Sequence, residues 1–322
     1  METAIKNFAR QFAFEPKIEN VGRWRRFSQF VAAGMGGSQL AADLIKIRQP
    51  DLPLLVHRDY GLPPLPGDEL KNYLIIASSY SGNTEETIDA FKTALSKKLA
   101  TAAISVGGEL LELAKAAQAP YVQLPDTGIP PRSALGFGLR AFFKLMGEEE
   151  ALQETTGLAQ TLRPENLETA GRALAQKLNG KIPIIYSSGG NRPLAYNWKI
   201  KFNETGKIPA FINVFPELNH NEMTGFDGSL SEKFHFLFLA DSSDHPRTAR
   251  RMATTKALYE KQGLPVEWLP LAGDSLFLKI FNSLILADWT ACHLAKNRGL
   301  DPAATPLIEE FKRSIFNGSF SK

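Results

Sequence analysis

Residues 73–91 read YLIIASSYSGNTEETIDAF, and three things in that order decide the fold. The apolar run Tyr73 to Ala77 predicts a buried strand, and Glu85 to Phe91 opens a helix. Between them Ser78-Ser79-Tyr80-Ser81-Gly82-Asn83-Thr84 forms a tight loop of hydroxyls, one glycine and one asparagine, with no Lys or Arg. A strand that turns directly into a helix leaves free backbone N–H groups at the helix start, where the helix dipole favours an anion. The hydroxyls of Ser79, Ser81 and Thr84 can add donors, so the loop suits a phosphate monoester held by neutral groups. An ordinary Ser/Asn/Thr helix cap uses the same residues.

The same unit occurs upstream. Phe27 to Ala33 predicts a strand running into Gly34-Met35-Gly36-Gly37-Ser38, and QLAADLIKI continues as a helix. Leu54–His57, Ala102–Val106 and Tyr121–Leu124 read as further strands. Strand and helix in alternation predict a parallel sheet covered on both faces. A rigid loop is expected over Gly61–Gly67. Residues 147–181 read as a polar, helical connector. The pattern then restarts with strands at Ile182–Ser187, Phe234–Ala240 and Val266–Leu271, and a long helix at Ser275–Lys296.

The chain therefore divides into two similar α/β halves, 1–152 and 153–322, each expected to carry a mostly parallel sheet and its own core. HFLFLADSSDHPRT in the second half corresponds to YLIIASSYSGNT in the first. It puts Asp241 and Asp244 where an anion would sit, and like charges repel. One phosphate site per chain is expected, in the first half.

Composition narrows the function classes. A net charge of +3 over 322 residues gives no basis for nucleic-acid or membrane binding. A single cysteine, Cys292, excludes a disulfide framework and a cysteine metal cluster, and a reducing, cytoplasmic setting is expected. The first residues, METAIKNFARQFAFEP, lack the continuous apolar core of a secretion signal. No run approaches the roughly 20 apolar residues that span a bilayer. There is no metal-binding spacing, nucleophile elbow or dinucleotide fingerprint. Neither metal nor cofactor is expected.

GMGGS, SSYSGNTEET, PRSALG, NETGK and PELNHNE together resemble the bifunctional phosphoglucose/phosphomannose isomerases, two-domain members of the sugar isomerase superfamily with SIS domains. The resemblance runs from about Val31 to Lys312. It implies an α/β fold of two SIS-type domains and interconversion of aldose and ketose hexose 6-phosphates. Such a reaction moves a proton between C1 and C2 through a cis-enediolate, and one base can remove and return it.

The resemblance implies a role for each matching residue. Ser79, Ser81 and Thr84 hold the phosphate, with Ser38 and the Gly36-Gly37 backbone lining the same pocket. Glu204 is the base, in surroundings expected to be apolar. His220 opens the sugar ring and is supplied across a homodimer interface. Arg132 steadies the enediolate. Lys296, or failing that Lys279, lies near the sugar ring, and Thr290 is a candidate for the C2-epimer reaction. A non-catalytic sugar-phosphate regulator with the same fold would keep the phosphate loop and need neither Glu204 nor His220. The isomerase half of an aminosugar synthase would need a glutaminase domain with an N-terminal cysteine.

Overall fold

Apolar runs form most of the strands, and small residues at the ends of several of them, such as Gly34, Ser78 and Ser105, let the loops beyond approach one another. The computed structural model describes residues 1–66, 68–226 and 229–316. Gly67, which closes the expected proline loop, and residues 317–322 of the expected second domain lie outside the described residues.

The first half begins with α1 (Glu2–Lys6) and continues through β1 (Gln29–Gly34), α2 (Gly36–Arg48), β2 (Leu54–His57), β3 (Tyr73–Ser78), α3 (Glu85–Ser96), β4 (Thr101–Ser105), α4 (Gly108–Ala116), β5 (Tyr121–Gln123) and α5 (Leu135–Met146). Its sheet is wholly parallel in the order β2-β1-β3-β4-β5. All six residues of β3 are buried, as a strand covered on both faces requires. Gly34 pairs with Ser78 at the carboxyl ends of β1 and β3. A Cβ on Gly34 would lie 2.5 Å from the Ser78 carbonyl oxygen. The strand order reverses between β1 and β3, where an open parallel sheet presents its ligand crevice.

The connector holds α6 (Glu149–Thr156), α7 (Leu158–Thr161) and α8 (Glu168–Lys177). The second half contains β6 (Ile182–Ser188), α9 (Arg192–Glu204), β7 (Phe211–Phe215), β8 (Phe234–Ala240), α10 (Pro246–Lys261), β9 (Val266–Pro270), α11 (Leu276–Asn297) and α12 (Pro306–Phe316). Its parallel sheet has the order β7-β6-β8-β9, which repeats the first four positions of the other sheet. The edge strand β7 and the helix α12 were not expected from the sequence. FINVF is short and mostly half-exposed, so neither a buried run nor a clean alternation marks it.

The two halves share their main core. One apolar cluster joins Ile76 of β3, Leu44 of α2 and Phe142 of α5 to Trp198 of α9, Leu237 of β8 and Phe281 of α11. The N-terminal segment closes it from outside, with the Phe12 and Phe281 ring centroids 4.7 Å apart. A smaller aromatic cluster, including Tyr186, Phe215, Phe236 and Tyr259, packs elsewhere in the second half. Among the described residues no helix is long and apolar enough to cross a membrane.

Candidate active site

Two helices begin beside each other at the crevice between β1 and β3. Helix α2 starts at Gly36, whose φ of +49° suits a residue without a Cβ. Helix α3 starts after Thr84. Neither start is capped by the side chain of its N-cap residue, Met35 or Thr84. The Thr84 hydroxyl is instead 2.8 Å from that of Ser79. Uncapped N–H groups at two adjacent helix starts form a natural seat for an anion.

The loop between β3 and α3 is held rigidly. Ser38 accepts the Tyr80 N–H through its hydroxyl at 2.8 Å, tying the two loops together. Ser79 is buried and its hydroxyl accepts the Gly82 N–H at 3.1 Å. Gly82 lies so close to the next loop that a Cβ would be 1.8 Å from the Gly107 carbonyl oxygen. Asn83 accepts the Glu109 N–H at 3.0 Å, so its amide braces the loop from the side. Ser81 is exposed, and its hydroxyl accepts the Asn83 N–H at 3.3 Å.

The equivalent place in the second half is filled by the protein itself. Lys279 donates to Asp241 at 2.9 Å, the Ser243 N–H donates to the same carboxylate at 3.0 Å, and Asp244 accepts the Asp241 N–H at 3.1 Å. Burial alone would raise the Asp241 pKa, but the Ser243 and Lys279 hydrogen bonds hold it below the usual value. Helix α10 begins with Pro246, which has no N–H, and His245 caps it by accepting the Arg247 N–H. This helix start has little left to offer an anion.

Arg132 links the two halves. It lies in a short 3₁₀ turn, Pro131–Ser133, whose backbone abuts α2 so tightly that a Cβ on Gly37 would fall 2.4 Å from the Arg132 nitrogen. Gln11 supports the turn by donating to the Ser133 carbonyl at 2.7 Å and accepting the Gly136 N–H at 2.9 Å. The Arg132 side chain, 3% exposed, then crosses to the second half. Nε donates to Thr205 Oγ1 at 2.8 Å and one terminal nitrogen to Glu204 Oε2 at 3.3 Å. The other donates to the carbonyls of Pro302 and Ala303 at 2.9 and 3.1 Å. Burial pulls the guanidinium pKa below its usual value, and Glu204 acts against that.

Glu204 ends α9 with its side chain 24% exposed. Its surroundings correct the expectation of an apolar site: a guanidinium faces the carboxylate, and Lys207 donates to the Glu204 carbonyl. The structure thus brings Gly36, Gly37, Ser38, the Ser79–Thr84 loop, Arg132 and Glu204 into one connected group. Thr205, Gln11 and the carbonyls of residues 302 and 303 belong to it and were not read from the sequence. Contacts that span 170 positions leave no local spacing to find. A cavity of about 820 Å³ opens beside Arg132, lined by Thr3, Asn7, Pro130 and Thr305 among others. Neither Glu204 nor the Ser79–Thr84 loop lines it, so the hydrogen-bonded group defines the site better than the cavity does.

Three other expected residues make no hydrogen bond to this group among the described residues. His220 is exposed at the end of a short 3₁₀ turn after β7. Its neighbours are well fixed: Asn219 donates to Thr255 at 2.8 Å, and Glu222 accepts from the Tyr186 hydroxyl and from Asn213. Lys296 is exposed and paired with Glu2, and that hydrogen bond raises its pKa. Thr290 is buried and its hydroxyl donates to the Leu286 carbonyl of its own helix at 2.8 Å.

Comparison with known proteins gives this geometry its family. The chain is 32% identical over 318 residues to the bifunctional phosphoglucose/phosphomannose isomerase of Aquifex aeolicus, covering 97% of each chain. To the protein of that name from Caldicellulosiruptor bescii it is 35% identical over 305 residues, covering 88% of each. The chain belongs to the bifunctional phosphoglucose/phosphomannose isomerase family. Residues 168–315 match the model of the bacterial phospho-glucose isomerase C-terminal SIS domain. Among solved structures, the tagatose-6-phosphate ketose/aldose isomerase of Escherichia coli shares the fold. The TM-score is 0.66 at 17% identity, covering 94% of this chain and 88% of that one.

Proposed function

We propose that the protein interconverts glucose 6-phosphate and mannose 6-phosphate with fructose 6-phosphate, with Glu204 as the proton carrier. The observation that carries this reading is the Arg132–Glu204 pair joined through Gly37 and Ser38 to two uncapped helix starts. The phosphate sits against the N–H groups at Gly36 and Gly37, with the hydroxyls of Ser38, Ser79, Ser81 and Thr84 around it. Glu204 takes the C2 proton of the open-chain aldose. The C–H electron pair forms the C1–C2 double bond, and the carbonyl oxygen becomes the enediolate oxygen, which Arg132 stabilises. A proton passes from O2 to O1, and Glu204 returns its proton to C1 to give the ketose. Mannose 6-phosphate follows when the proton returns to the other face of C2.

His220 opens the ring, taking a proton from the anomeric hydroxyl and giving one to the ring oxygen. Its exposure at the end of a surface turn favours a site shared between two copies, each supplying His220 to the other's Glu204. Lys296 can reach a sugar only after leaving Glu2. Glu204→Gln and His220→Ala chains are each expected to be inactive as homodimers. Co-expressed heterodimers contain one intact site and regain about half the wild-type activity. An absence of recovery in purified heterodimers places His220 in the service of its own chain.

A further inference from the structure

A second ion pair lies one helical turn behind Glu204. Lys201 of α9 is fully buried, and its ammonium donates to Asp288 Oδ1 of α11 at 2.7 Å. Lys201, Glu204 and Thr205 are spaced three and four residues apart and so share one face of α9. The Lys201 carbonyl accepts the N–H groups of Thr205 and Gly206 at 2.9 and 3.0 Å, which closes the helix at the base. Gly206 allows the turn to pack tightly there, since a Cβ would lie 2.8 Å from the Phe202 carbonyl oxygen and 3.5 Å from the Ala291 Cα.

Asp288 also lies within the field of Arg132. Burial pushes its pKa up, and Lys201 and then Arg132 oppose that rise. The charges therefore alternate around a closed path: Lys201 on α9, Asp288 on α11, Arg132, and Glu204 back on α9. A buried ion pair is often no more stabilising than apolar side chains of the same volume. Stability alone therefore gives little reason for these two charges to be here.

We infer that Lys201 and Asp288 are positioning residues for the isomerisation, holding the last turn of α9 on α11 so that Glu204 meets Arg132 in a fixed orientation. This rests on Glu204 as the base. The pair does not touch substrate; it sets where the base stands. A small displacement of a reacting group is enough to cost about 10²-fold in rate.

The test is the double variant Lys201→Met/Asp288→Leu, which exchanges the pair for apolar side chains. It is compared with wild type and Glu204→Gln by steady-state kinetics, thermal unfolding and the isotope effect on glucose 6-phosphate deuterated at C2. The expected result is a folded protein whose kcat falls about 10²-fold, with KM within about threefold. Its C2 isotope effect rises, because proton transfer limits the rate more fully. A purely structural role would not move that isotope effect. If the double variant does not fold, Asp288→Asn, which keeps an acceptor for Lys201 but removes the counter-charge, takes its place, with a smaller fall in kcat and a rise of the isotope effect in the same direction expected. A folded variant with unchanged kcat and isotope effect overturns the inference. Failure of both variants to fold assigns the pair to folding alone and overturns it too. An active Glu204→Gln enzyme instead overturns the base assignment, and a dead one beside an unaffected double variant overturns only the positioning role.

Discussion

Glu204→Gln is expected to lower kcat by about 10³-fold while hexose 6-phosphate still binds. The amide keeps the shape of the carboxylate and a carbonyl oxygen that can accept from Arg132, so the site stays assembled. What it loses is the ability to take a proton from carbon. Arg132 retains Thr205 and the two backbone carbonyls of residues 302 and 303 as acceptors. The guanidinium is therefore not left bare, and a stability loss of about 1 kcal/mol is expected. Steady-state kinetics with calorimetric binding of the sugar phosphate check this prediction. Residual activity within tenfold of wild type contradicts the role of Glu204.

Arg132→Met has the largest expected effect on the molecule as a whole. The guanidinium serves acceptors on α9, on Thr205 and on the segment before α12. Methionine fills part of the volume and satisfies none of them. The Thr205 hydroxyl and two carbonyls lose their donor, and Glu204 loses its counter-charge, for a combined cost of about 3 kcal/mol. On the proposed mechanism activity falls by about 10³-fold, because the developing enediolate oxygen loses its guanidinium. Arg132→Lys does not rescue it: an ammonium is a compact point charge and cannot reach three directions at once. The expected order of melting temperature and of kcat/KM is wild type, then lysine, then methionine. A methionine variant with native melting temperature and activity contradicts the account of Arg132.

Among the described residues the parallel strands other than β7 were legible as apolar runs, and Gly34, Ser78, Ser105 and Ser188 mark the ends of four of them a second time. Phe27–Ala33 was expected as a strand and Gln29–Gly34 is one; Tyr73–Ala77 extends by one residue to Ser78. The expected weakness of the second anion loop is visible in Asp241, Asp244 and Lys279, which satisfy one another. Beyond the strands, legibility depends on whether a residue's partner is near in sequence. The Ser79–Thr84 loop is bonded within itself, to Ser38 and to the segment 104–110 just beyond its own helix, all near in sequence or on the same sheet edge. Arg132 and Glu204 were expected to serve one reaction, but their direct pairing was not, nor was the polar setting of Glu204. Lys201 reads locally as one more charge on an amphipathic helix. Only the packing of α9 on α11 shows it buried against Asp288.

The most direct test of a proton-carrying Glu204 is isomerisation of glucose 6-phosphate in D₂O, followed by proton NMR. The account predicts conversion to fructose 6-phosphate and mannose 6-phosphate, with deuterium entering at the carbon that receives the proton from Glu204. Conversion without deuterium means only that Glu204 returns its proton before exchanging with solvent. Conversion by a Glu204→Gln chain within tenfold of the wild-type rate, or binding by the wild-type chain with no conversion, contradicts the account.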